Sequence, residues 1–83
     1  QSNAETGEGY SDISICTPER TGIIIELKYA KRGELKAACE KALEQIEERK
    51  YAAALEHRGM KKILKYGIAF YEKDCMVVMG SRH

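Results

Sequence analysis

Two acids and a lysine draw attention first in this 83-residue chain: Asp12, Glu26 and Lys28. Glu26 and Lys28 lie in GIIIELKYA, with Ile23, Ile24 and Ile25 ahead of them and Leu27 between them. An isolated charge in an apolar strand is costly, so charges at such places are paired, bound to a metal, or at the rim of a cleft. Two neighbouring carboxylates oppose each other's ionisation unless a cation sits between them. Hard oxygen ligands favour magnesium or manganese over zinc, and magnesium fills its shell with water and phosphate oxygens. An ammonium alongside could orient or deprotonate a water, or stabilise charge gathering on a phosphate. Those are the parts of metal-assisted phosphodiester hydrolysis. Glu-x-Lys alone is also what a solvated charge pair on an exposed strand looks like; the isoleucines and the facing Asp12 weigh against that reading.

The elements that must position these residues are legible as pattern changes. YSDISIC, residues 10–16, alternates in period two and reads as a strand. TPERTG carries the chain's single proline and breaks it as a turn. Residues 22–29 read as a second strand, apolar on both faces like the centre of a covered sheet. If residues 17–21 form the hairpin loop, Cys16 faces Gly22, Ser14 faces Ile24 and Asp12 faces Glu26. Opposed residues share a face, and Lys28, two positions on, shares it too.

AKRG is a break, after which apolar residues recur at three and four from Glu34 to about Leu55, predicting one helix of about six turns. Glu34 in its first turn suits the helix dipole, and Gly59 lies just past its end. ILKYGIAFY then reads as a buried strand, EKD as a tight turn and CMVVM as a last strand. The expected fold is therefore α/β: a β-hairpin, a long right-handed crossover helix, a strand parallel to the second, and a closing antiparallel strand. One helix covers one sheet face; the other needs cover from further chain or a second subunit.

Composition narrows the function classes. The formal charge is +1, from 14 basic and 13 acidic residues, so any nucleic-acid affinity must come from local patches such as Lys28, Lys31, Arg32 and Lys36, or Arg58, Lys61, Lys62 and Lys65. Solvated faces account for those clusters as well. Cys16, Cys39 and Cys75 form no C-x-x-C pair, which fits reduced thiols in a cytoplasmic protein, with core packing as their plain role. No run of about 18 apolar residues exists, so no membrane contact is expected. His57 and His83 lack cysteine or serine partners for a nucleophilic triad. GEG precedes a strand and lacks a P-loop lysine. Residues 1–4 look like an expression-tag remnant, 5–80 a single domain and 81–83 a tail.

Four blocks carry a resemblance: ETGEGYSDI, IIIELKYA, ALEQIEERKY and KYGIAFYEKDCMVV. In this order the chain resembles the PD-(D/E)XK nuclease superfamily, and more closely the nuclease-like domain at the C-terminus of AAA-ATPase-like proteins. The resemblance implies a truncated restriction-endonuclease-like core with a mixed four-stranded sheet, lacking the usual N-terminal helix and strand. It implies Asp12 and Glu26 as metal-binding acids, the main-chain carbonyl of Leu27 as a further ligand, and Lys28 as the catalytic lysine. Gln45 matches a helix glutamine that points back at the site in several branches; a boundary residue is its plainer role. Tyr51 belongs to the pattern and is otherwise a packing residue, while Glu5 matches an acid of the loop block or simply shapes a turn.

The implied function is hydrolysis of DNA phosphodiester bonds with Mg2+ or Mn2+. The implied partners are DNA and an N-terminal ATPase domain, with a homodimer through the uncovered face as a further association. Two readings of other classes stand beside it: an inactive module binding nucleic acid or protein, and a structural oligomerisation piece of a larger ATPase-linked protein.

Overall fold

The computed structural model describes residues 12–80. Two strands, two α-helices and two strands follow one another as β1 (Ile13–Cys16), β2 (Thr21–Tyr29), α1 (Leu35–Glu48), α2 (Tyr51–His57), β3 (Lys62–Tyr71) and β4 (Asp74–Met79). They build one mixed sheet in the order β1-β2-β3-β4, with β2 and β3 parallel and both outer pairs antiparallel. The expected α/β fold is the one observed.

The hairpin turn sets the register on which the site depends. Arg20 N–H donates to the Thr17 carbonyl at 3.0 Å, a β-turn with Pro18 in the position that suits its fixed φ, and Arg20 follows in the left-handed region at φ 69. The Thr17 hydroxyl accepts from the Thr21 amide at 3.1 Å. Ile13 then pairs with Ile25, Ser14 with Ile24 and Cys16 with Gly22, the register expected from the loop length. The predicted strand positions at Tyr10 and Ser11 lie outside the described residues, and Asp12 is a bend just before β1.

The crossover is present but divided. Where periodicity predicts one helix, α1 stops at Glu48, Lys50 adopts φ 56 and ψ 39, and α2 starts at Tyr51. The physical reason is burial. Ile24, Ile46, Tyr51 and Leu55 form the core cluster, and restarting the helix at Tyr51 turns this ring inward to 4% exposure. Gly59, at φ 98, ends α2 in the conformation that suits glycine.

Alternate residues of β2 and β3 face the helices: Gly22, Ile24 and Glu26 on one strand, Lys65, Gly67 and Ala69 on the other, all buried. Packing here is close. A Cβ at Gly67 would stand 2.4 Å from the Cys39 carbonyl oxygen, so α1 lies on β3 at a distance only glycine allows. Cys39 is buried and its thiol donates to the Met76 carbonyl at 3.3 Å, whereas Cys16 and Cys75 are exposed and outside the core. Lys65, expected in a basic surface patch, is instead buried and ion-paired to Glu47.

The opposite face carries Ile13, Ile15, Phe70, Val77 and Met79, all 40% exposed or more. No described element packs over it. Among the described residues no helix is long and apolar enough to cross a membrane.

Candidate functional site

The site grows from the open end of the hairpin. One residue beyond the β1 ladder, Asp12 reaches across to β2 in two ways: its amide donates to Glu26 Oε1 at 3.4 Å, and its Oδ2 accepts from the Leu27 amide at 2.8 Å. The second bond is the shorter and fixes the carboxylate against β2. A strand residue directs its N–H and C=O toward the same neighbour, so the Leu27 carbonyl lies on the Asp12 side as well.

Glu26 is 4% exposed, on the face covered by the helices. Burial first, and then the Asp12 carboxylate beside it, push its carboxyl above the usual range; the Asp12 amide, Lys28 and Arg49 pull it back. Two acids in opposition at a half-dry place form a donor set that a cation would relieve. No three His, Cys, Asp or Glu side chains among the described residues cluster in the manner of an all-protein metal cage. Magnesium does not require one: one or two carboxylates suffice, with water completing the shell. Asp12, Glu26 and the Leu27 carbonyl fit that sparse pattern.

A cleft of about 200 Å3 is lined by Lys28, two residues along β2 from Glu26 on the same face, and by Lys41, Glu44, Gln45, Glu48 and Arg49. Lys28 and Gln45 are half-buried and both line it, one from β2 and one from α1. Tyr51, by contrast, is held in the core, its hydroxyl accepting from Arg49 Nη1 at 3.5 Å. Glu5 lies outside the described residues. The structure thus brings Asp12 to Glu26 and sets Lys28 and Gln45 on one cleft, while Tyr51 lies in the core.

Lys41, Glu44, Glu48 and Arg49 are cleft residues that sequence reasoning passes over, and Lys41 and Arg49 are the basic pair among them. The available signal is spacing: both are four residues from Gln45 on α1, so all three share one helix face. The Tyr51 hydroxyl, and after it the Glu26 and Glu48 carboxylates, hold the Arg49 guanidinium more firmly charged than usual.

No curated protein and no solved structure shows a significant match to the sequence. Residues 1–79 match the family described as the PD-(D/E)XK nuclease superfamily. With a match over nearly its whole length, and a mixed sheet that carries the acid, the Glu-x-Lys strand and the crossover in the expected order, the chain belongs to the PD-(D/E)XK nuclease superfamily.

Proposed function

We propose that the chain is a metal-dependent nuclease domain that hydrolyses DNA phosphodiester bonds, with Asp12, Glu26 and the Leu27 carbonyl as the ligands of Mg2+ or Mn2+. The observation that carries this reading is the convergence of Asp12 and Glu26 across the hairpin, on the strand that also presents Lys28. Bound there, the ion would acidify a water and offset the charge of a phosphate. The residues of the chain do the rest. The Leu27 amide orients Asp12; the buried floor of β2 keeps Glu26 from bulk water; Lys28 holds its ammonium toward the phosphate and stabilises its growing negative charge. Gln45 donates from α1 to position the attacking water or the phosphate.

In the same reading the domain works in the cytoplasm, with its cysteines as free thiols, as part of a larger AAA-ATPase-like protein. The uncovered apolar sheet face favours a protein contact, either a second copy or the attached ATPase part. The test is manganese titration followed by thermal shift, together with a nuclease assay on single-stranded and duplex DNA. Manganese should raise the melting temperature of the wild type and leave Asp12→Ala and Glu26→Ala unmoved, and Lys28→Ala should abolish cleavage while keeping metal binding. Equal stabilisation of wild type and both acid variants would remove the metal site.

A further inference from the structure

We infer that Arg49 grips a backbone phosphate of the nucleic acid at this site and that Tyr51 helps position it; the inference rests on the nuclease reading above. What points to it is where the crossover helix breaks. In a continuous helix, residues two apart do not face each other. Arg49 and Tyr51 are two apart, yet the Arg49 guanidinium donates to the Tyr51 hydroxyl at 3.5 Å. The contact exists because Lys50, a residue with a Cβ, takes the left-handed conformation between them, a costly arrangement of the kind that persists where the surroundings enforce it.

The break does two things at once. It turns the Tyr51 ring into the core beside Ile24, Ile46 and Leu55, and it leaves Arg49 at the end of α1, on the wall of the cleft shared with Lys28 and Lys41. A ring locked by packing carries a hydroxyl whose place is fixed, and that hydroxyl helps hold the Arg49 side chain. Arg49 lines the same cleft as Lys28, which lies two residues along β2 from Glu26 on the same face. A fork of planar donors beside a cation-binding pair of acids is suited to an anion that shares that cation, and the phosphodiester of a nucleic-acid strand is such an anion. Glu44 and Glu48 line the same cleft. An arginine serving only to neutralise them is the contrary outcome.

The test is equilibrium binding of labelled single-stranded and duplex oligonucleotides, followed by fluorescence anisotropy across a salt series with calcium in place of magnesium. Arg49→Gln should weaken binding about tenfold at low salt and reduce the slope of log K against log salt by close to one, the mark of one lost phosphate contact. Arg49→Lys should keep the slope while binding more weakly, since it retains charge and loses the fork. Tyr51→Phe, which preserves the buried ring, should weaken binding about threefold and add nothing to Arg49→Gln in the double variant; a merely structural role would add. A folded Arg49→Gln with the affinity and slope of the wild type overturns this inference alone. A wild type that binds neither oligonucleotide overturns both it and the nuclease reading.

Discussion

On the sheet face covered by α1 and α2, Glu26 and Lys65 are only 4% and 6% exposed; on the opposite face, Val77 and Met79 are 55% and 52% exposed. Two charges are buried while hydrocarbon lies exposed. Each buried charge has its own account. Lys65 reaches the half-exposed Glu47 and is a pair, whereas Glu26 meets a second acid and is raised rather than relieved by it. A structural ion pair has its opposite sign supplied; an acid pair calls for a cation from outside. The open face has no such resolution within the described residues, and a contiguous apolar surface of that kind is the usual mark of a contact region.

The largest expected effect comes from forcing the covered face apart. Gly67→Val would drive a side chain into the Cys39 carbonyl, a backbone atom that cannot step aside, and should cost about 3 kcal/mol or more by chemical denaturation. Next come the two ends of the Lys65–Glu47 ion pair, which should respond in opposite ways because only Lys65 is buried. Glu47→Gln strands the Lys65 ammonium and should cost about 1–3 kcal/mol, less than a fully buried pair because Glu47 is itself 56% exposed; Lys65→Met should be close to neutral. Equal losses from both would erase the distinction between a structural pair and a site.

Glu26 sharpens the contrast through pH. Its folded pKa is raised, so between the ordinary carboxylate value and the raised one the native state holds more protons than the unfolded chain, and stability falls as pH rises through that window. Glu26→Gln should flatten this dependence and raise the melting temperature at neutral pH by a few degrees without metal. Manganese should reverse the order by stabilising the wild type alone. The smallest effect on folding belongs to the open face. Val77→Thr and Phe70→Thr should change unfolding by less than about 0.5–1 kcal/mol yet reduce self-association in sedimentation, because these side chains are already exposed in the single chain.

Much of this arrangement was readable from residues. The loop between Thr17 and Thr21 fixes the pairing, and the pairing puts Asp12 against Glu26, so the heart of the candidate site follows from counting across one turn. The break in the crossover was not readable. Arg49, Lys50 and Tyr51 include neither glycine nor proline, and the surrounding glutamates and alanines are good helix formers. What overrides them is tertiary: the tyrosine ring is worth more in the core than the continuous helix is worth in hydrogen bonds. Arg49's place on the Gln45 face was legible from its spacing, but its contact with Tyr51 was hidden for the same reason, since residues two apart are not neighbours in any regular helix. Lys65 read as surface charge because an alternating strand pattern does not reveal that a glutamate from the helix will reach it.

Strand order in the sheet follows chain order. A nascent polypeptide leaving the ribosome can therefore lay the sheet down from one side to the other, each new strand joining the free edge of the last. No strand has to be threaded between two that have already met, and no completed pairing has to reopen to admit a latecomer.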